Sequence, residues 1–309
     1  MDFGVFLPVS GRATGRDTLT DAARRAEGWG FGTVWAAERI VIPWQIETAY
    51  PYAEGSAFIV PPDRPFLESL TCLAFLAGCT ETIKLGVSTL VLPYRHPLQW
   101  AKVATSIDTL SEGRLVLGVG VGWMVEEFGA LGAHFAERGA VSDEQLEILQ
   151  RLLNDERCSY EGRFYQFRDL AFYPKAYRQT GIPVWVGGEG RAAQRRTARY
   201  GDAWFPYFVR ITPRELAARF DNVRAMAAEH GREADQISLA CCLPIVVTDG
   251  PVPQDDDRLR GSAEQLVEAV RRFAAVGVEH LALQFMVPRY PERLEQIERF
   301  ATEVLPHLR

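Results

Sequence analysis

The chain has 309 residues, 47% of them hydrophobic, with a formal net charge of −6 and a pI near 5.5. A chain of this length buries one large core, and α/β barrels run past about 250 residues as single domains, so one domain over residues 1–309 is expected. The acidic balance argues against a nucleic-acid or anionic-membrane binder, because both need a basic face that attracts phosphates.

The first strand is expected at 2–8, within the run DFGVFLPV, with no charged and then apolar leader before it, and a helix follows at 17–29. A second strand at 33–37 leads into residues 39–65, too long for a plain connection. Trp44, Tyr50, Tyr52, Phe58 and several prolines there suggest an ordered flap over an apolar or cyclic substrate. Next come a helix at 66–78, a strand at 83–91, a helix at 97–110, a strand at 114–120 and a helix at 141–154, the last signalled by Ser142 with Gln145. Residues 156–182 hold an alternating CSYEGRFYQF that reads as a hairpin around Glu161–Gly162. A strand at 183–187, a helix at 190–200, a strand at 202–206 and a helix at 213–230 follow, with Thr212 before Pro213 marking the helix start. A strand at 237–247 precedes a polar, mobile stretch at 248–261, then a helix at 262–276, a strand at 279–286 and a helix at 291–305.

Eight strand–helix pairs predict a (β/α)8 TIM barrel, with insertions after strand 2 and before strand 5. A doubly wound sheet needs a glycine fingerprint after its first strand, where this chain has LPVSGRATG. No run approaches the ~20 apolar residues that span a bilayer, so a cytoplasmic protein is expected. The five cysteines form no CxxC pair, which points to neither a disulfide framework nor a zinc site, and no metal is expected.

Chemistry in such a barrel gathers at the strand ends. Gly118, Gly120 and Gly122 alternate along the fourth strand, leaving one face bare for a ligand or another backbone, and a flat ring fits there. Gly187 and Gly188 end the fifth strand where a helix starts with Arg191, Arg195 and Arg196 nearby, an anion-binding arrangement. Among rim candidates, His96 precedes Pro97 and suits a turn cap; Tyr94, Arg95, Glu126, His134, Trp204, Tyr207 and Gln284 complete the set.

The runs LGVSTLVLPYRHPLQWAKVATSIDTLSEGRLVLGVGVGW, EEFGALGAHFAERG and PVWVGGEGRAAQRRTARYGDAW resemble the luciferase-like flavin and deazaflavin oxidoreductases, and most resemble the branch that uses coenzyme F420. The similarity runs in order from FGVFLP through VWAAERIVIP to about residue 210. It implies a non-prolyl cis peptide at Ser88–Thr89 against the cofactor's middle ring, and a cofactor phosphate on Gly187, Gly188 and Arg191. Phe6, Gly120, Gly122 and Trp123 complete the implied cofactor cradle.

Many deazaflavin-dependent relatives carry an acid followed by a histidine base after the second strand; here Glu38 is followed by Arg39. Arginine cannot act as a base at neutral pH. Arg39 can clamp a carboxylate or stabilise an enolate, and Glu38 can hold a ring-edge N–H or relay a proton. The expected function is therefore hydride transfer between F420 and a small organic substrate, as reduction of an activated C=C or C=N bond, in a homodimer. The alternatives are an FMN-dependent monooxygenase and a noncatalytic flavin-binding barrel.

Overall fold

The computed structural model describes residues 1–52, 58, 60–253, 258–287 and 289–308. Its elements in chain order begin β1 (Asp2–Phe6), α1 (Arg16–Gly28), β2 (Thr33–Ala36), α2 (Ser69–Ala77), β3 (Lys84–Val91), α3 (Pro97–Leu110) and β4 (Leu115–Gly120). A short α4 (Val125–Ala130), α5 (Arg138–Asn154), β5 (Cys158–Glu161), β6 (Gln166–Leu170), β7 (Val184–Gly187), α6 (Arg191–Tyr200) and β8 (Ala203–Phe205) follow. The chain continues through α7 (Pro213–Glu229), β9 (Ser238–Val247), β10 (Leu259–Gly261), α8 (Ala263–Ala275), β11 (Val278–Phe285) and α9 (Tyr290–Arg299).

Eight parallel strands close on themselves in the order β1, β2, β3, β4, β7, β8, β9, β11, with β11 returning to β1. This is the expected (β/α)8 barrel, and both insertions fall where the sequence places them. The β5–β6 pair is the antiparallel hairpin between the fourth and fifth barrel strands. No helix among the described residues is long and apolar enough to cross a membrane.

Three details depart from the sequence reading. The helix expected from 141 begins at Arg138, so Ser142 lies inside it and donates to the Arg138 carbonyl at 2.7 Å instead of capping. Gln145 is fully buried, taking the Trp100 indole N–H at 2.7 Å. The stretch 248–261 is not loose where it is described: Leu259–Gly261 pairs in parallel with β9, and Val252 exchanges two hydrogen bonds with Gln265, while residues 254–257 lie outside the described residues. Helix α4 was not anticipated at all. By contrast, Thr212 and Glu215 form the reciprocal capping box at the start of α7, with Pro213 at its first position.

Strand alternation sorts the apolar residues into two sets. One lies between strands and helices; the other, inside the barrel, comprises Trp35, Val116, Ala203, Phe205, Ala240, Cys242 and Ala282, with Phe6, Trp185 and Tyr207 packed on it. The Trp35 indole fills the barrel between two bare strand positions. A Cβ on Gly4 would stand 2.3 Å from its Nε1, and one on Gly86 2.3 Å from its Cε3. Its N–H donates to His280 Nε2 at 3.2 Å, which fixes that nitrogen as the unprotonated one. Burial lowers the His280 pKa, against the pull of nearby Asp2. The interior below the strand ends is thus filled, which leaves the carboxyl-end mouth as the place where such a barrel takes a ligand.

On the opposite side of β4, Arg114 joins the strand to the end of α2. Its Nη2 donates to the carbonyls of Ala77 and Thr80 at 3.0 Å each, Nη1 to Thr80 Oγ1 and the Ile83 carbonyl, and Nε to the Ser111 carbonyl. Replacing it by Met would strand buried carbonyls. Arg114→Met is expected to lower stability by about 3 kcal/mol, read as a reduced urea midpoint with unchanged slope; a loss under about 1 kcal/mol would show that water replaces the guanidinium.

Candidate active site

The ends of β3, β4 and β7 interlock. Val87 pairs with Leu117 and Leu90 with Val119, so Ser88 and Thr89 together face one residue of β4 and form a bulge. The Ser88–Thr89 peptide is cis, as the resemblance implies. A Cβ on Gly118 would lie 2.2 Å from the Val87 carbonyl oxygen, and one on Gly120 2.4 Å from Thr89 Oγ1. One on Gly187 would meet Thr89 Cγ2 at 2.8 Å. The alternating glycines therefore admit another backbone and the Thr89 side chain. Gly122, at φ +79°, turns the chain out of β4 and against Phe128 and Val91.

Two buried carboxylates at the mouth are each paired with an arginine. The Glu38 carboxylate is buried; Arg95 Nη1 lies 2.7 Å from Oε1, Ser69 donates at 3.3 Å, and the Val91 N–H donates to Oε2. Arg95 also reaches Glu68 at 2.7 Å, so Glu38 ties β2 to the end of β3. Burial pushes the Glu38 carboxyl up to about 7, against Arg95 and the Val91 N–H.

Arg39 points elsewhere. Its Nη1 donates to Glu127 Oε2 at 2.9 Å, while the buried Nε has no hydrogen-bond partner. Its guanidinium carbon lies 4.8 Å from the Trp123 ring and 5.2 Å from that of Phe58. Glu127, on α4, is fully buried and also accepts from the Ile40 and Val41 N–H groups and from the Tyr94 hydroxyl at 2.8 Å. Burial and then Glu127 keep Tyr94 protonated.

The described part of 39–65 crosses the mouth. Tyr50 packs on Trp123 at 5.1 Å and on Phe58 at 5.4 Å, and Tyr52 meets Tyr207 beyond β8 at 5.4 Å. Residues 53–57 and 59 lie outside the described residues. Glu126 pins the flap, accepting the Glu47 and Thr48 N–H groups at 2.7 and 2.9 Å and the Thr48 hydroxyl at 2.8 Å. Trp44, 80% exposed, points away from the cover.

Gly187 and Gly188, the latter at φ +107°, carry β7 into α6. No side chain caps α6, and its first turn holds no acid, so its leading amides suit an anion. Arg191 is exposed at that start, in a groove of about 660 Å³ between α6 and α7 that Arg195 and Arg219 also line. Arg196 turns away and pairs with Asp143 at 2.6 Å.

The other candidates disperse. His96 caps α3, accepting from the Leu98 N–H at 3.3 Å, and His134 is exposed. Trp204 is buried outside the barrel, stacked on Phe220, with its N–H on the Gly188 carbonyl at 2.9 Å, so it does not line the mouth. Gln284 leaves a buried Oε1 unpartnered. Sequence reasoning missed Glu127 and Glu189. The first sits on the unread α4; the second is an acid inside GGEG, an anion loop where its presence was itself a signal.

A family model described as luciferase-like monooxygenase matches residues 1–280. The chain belongs to that family. It is 33% identical over 221 residues to an uncharacterized protein of Mycobacterium tuberculosis, covering 70% of this chain and 74% of the relative. Another uncharacterized protein of that species is 32% identical over 182 residues, 59% of this chain and 62% of the relative, so the match spans less than two thirds of that protein. A phthiodiolone/phenolphthiodiolone dimycocerosates ketoreductase of the same species is 28% identical over 255 residues, 81% of this chain and 64% of the relative. Among solved structures, an F420-dependent secondary alcohol dehydrogenase holding an F420–acetone adduct superposes with a TM-score of 0.78 at 16% identity, covering 100% of this chain and 99% of the other. A monooxygenase from Streptomyces bottropensis superposes at 0.79 and 19%, covering 100% of both chains. At these identities the likeness establishes the fold.

The Glu38 pKa, raised in the folded protein, gives a signed expectation. The folded state then binds more protons than the unfolded state between about pH 4.5 and 7, so this contribution is full below that window and lost as pH rises through it. Wild type should lose on the order of 3 kcal/mol relative to Glu38→Gln between pH 5 and pH 8. Urea unfolding of both proteins across that range tests this, and a pH-independent difference would sink it.

Proposed function

We propose that this chain is an F420-dependent reductase of an activated C=C or C=N bond in a small apolar or cyclic substrate, bound between the β3–β4–β7 strand ends and the aromatic flap. The observation that carries the direction of reaction is the placement of the histidines. His280 is sealed beneath the mouth on Trp35, His96 caps α3, His134 is exposed, His230 ends α7 beside the outer groove and His307 lies in the last turn. No imidazole faces the substrate space as a base for alcohol oxidation. That one matched relative is by name a ketoreductase agrees with reduction.

The residues present fit such a cofactor. Ser88, Thr89, Gly120 and Gly187 form one bulged wall beside the barrel interior where Phe6 packs, and Gly122 and Trp123 lead from it to the flap. Gly188 and Arg191 with the uncapped start of α6 suit a phosphate. The reduced deazaflavin, when bound, supplies the hydride. Arg39 then serves as the electrophilic residue. Its unpartnered Nε–H is a buried donor in want of an acceptor, and it would be satisfied by the oxygen of an enolate, or by the nitrogen that gains charge when a C=N bond is reduced. Glu127 holds the guanidinium, and Trp123 and Phe58 shield it from water. Glu38 gives its carboxyl to Arg95 and Val91 and acts by positioning β2 and β3, with a tyrosine or water as proton source.

The same reading makes the enzyme a cytoplasmic homodimer; Val103 and Leu110, seven residues apart on α3, and Phe75 on α2 are exposed apolar side chains suited to a two-fold contact. The FMN-dependent monooxygenase is the second reading, favoured by the fold shared with a monooxygenase.

Titrating the protein in parallel with F420 and FMN, followed by fluorescence quenching, tests the cofactor. Tighter F420 binding supports the reductase, the reverse the monooxygenase, and neither a failure of the cradle. Arg39→Lys should lower kcat/KM for reduction by about 100-fold, roughly 2.7 kcal/mol of transition-state stabilisation, with cofactor affinity unchanged. Efficient alcohol oxidation that survives Arg39→Ala would overturn the assignment.

A further inference from the structure

One side chain at the anion loop runs against its electrostatics. Glu189 lies between Gly188 and Gly190, immediately before the uncapped start of α6. Its carboxylate accepts the Tyr207 N–H at 3.1 Å and shares the wall of the α6–α7 groove with Gly190 and Arg191. An ionised carboxylate at this point competes for the amides and repels an incoming phosphate.

The surroundings do little to keep Glu189 charged. Tyr52 of the flap and Cys241 and Cys242 of β9 lie near enough to sense its charge, and burial already holds all three in their protonated forms. Arg219 on α7 is the cation that opposes this, while Arg191, Arg195, Glu229 and His230 also line the groove. Burial raises the Glu189 carboxyl above the ordinary range, and Arg219 and the Tyr207 N–H work the other way.

Resting on the cofactor site proposed above, we infer that Glu189 is a specificity residue whose carboxyl must be neutral when the cofactor phosphate is seated at the start of α6, so that binding takes up one proton from solvent. Protonated, the carboxyl changes from competitor to donor. One oxygen keeps the Tyr207 N–H, and the O–H of the other points to a phosphate oxygen, a hydrogen bond an ionised carboxylate cannot make. Arg191 and the α6 amides supply the remaining contacts. A phosphodiester, whose single charge does not titrate in the neutral range, suits this arrangement better than a dianionic monoester.

The test is the dissociation constant of F420, measured by fluorescence quenching from pH 5.5 to 8.5 on wild type and Glu189→Gln. Wild-type affinity should weaken by up to about tenfold per pH unit above the free carboxyl's pKa, and at least about tenfold in all. Glu189→Gln should bind with a flat profile and hold F420 about tenfold tighter than wild type at pH 8.5. Calorimetry of wild type in two buffers of different ionisation enthalpy should count about one proton taken up, a readout that needs no variant. A flat wild-type profile, a slope that survives in Glu189→Gln, or no proton uptake would overturn the inference and leave the cofactor reading standing. Failure of F420 to bind at any pH would overturn both.

Discussion

A closed parallel barrel has to fill its own interior, and here one indole does most of that. Trp35 occupies the space that side chains on Gly4 and Gly86 would need, and it leans on Trp185 and Phe205 at 5.2 and 4.7 Å. Its N–H has one acceptor, His280, and that hydrogen bond removes the imidazole from chemistry by using the lone pair a base would need. Filling the interior this way directs any ligand to the carboxyl ends of the strands. The bulge of β3 then bends in at those ends because Gly118, Gly120 and Gly187 have no Cβ to refuse it.

The mouth is governed by the cost of burying charge. Two buried carboxylates stand on neighbouring elements, and each has its own arginine: Glu38 with Arg95, Glu127 with Arg39. A buried ion pair is tolerable only when its remaining lone pairs and protons are satisfied. Glu127 meets that condition with two backbone N–H groups and a tyrosine hydroxyl, and so does Glu38 with Val91 and Ser69. The arginines are less complete: Arg39 leaves its Nε over, and Arg95 Nη1, although 2.7 Å from Glu38, makes no hydrogen bond of good geometry. What sets Arg39 apart is that its open donor belongs to a guanidinium packed against the Trp123 and Phe58 rings at the flap, whereas Arg95 spends its charge on two carboxylates, Glu38 and Glu68.

The strands were legible because a parallel sheet is covered on both faces, so its strands read as unbroken apolar runs with glycine at their ends. The glycine pattern of β4 was legible as close approach, and the neighbour at Gly118 proved to be the Val87 carbonyl. Ser142 misled because a serine followed three residues on by glutamine fits a capping box and an interior turn equally well; only the free backbone three residues upstream distinguishes them. Glu127 could not be read at all. Apart from Tyr94, its partners Arg39, Ile40 and Val41 lie 86 to 88 residues back, at the start of an insertion whose path no local pattern specifies, and its neighbour Glu126, alike in sequence, does a different job at the flap.

The flap follows from the same economics. Glu126 holds its backbone through two amides and a hydroxyl, and these contacts hold the Glu126 carboxyl below the ordinary carboxylate range. Beyond that anchor the flap offers Tyr50, Tyr52 and Phe58, rings that exclude water by area; Tyr50 and Phe58 pack tilted on Trp123 and Tyr52 packs edge to face on Tyr207, without fixed polar geometry. Aromatic contacts of this kind are each weak enough to break and reform, whereas the carboxylate anchor sits on α4 beside Glu127. Arg39 is tied to both ends of this arrangement, because the Glu127 that holds its guanidinium also accepts the Ile40 and Val41 N–H groups where the flap begins. The cover and the electrophile are thereby coupled, through the Phe58 and Trp123 rings against the guanidinium and through Glu127, which joins Arg39 to the flap backbone.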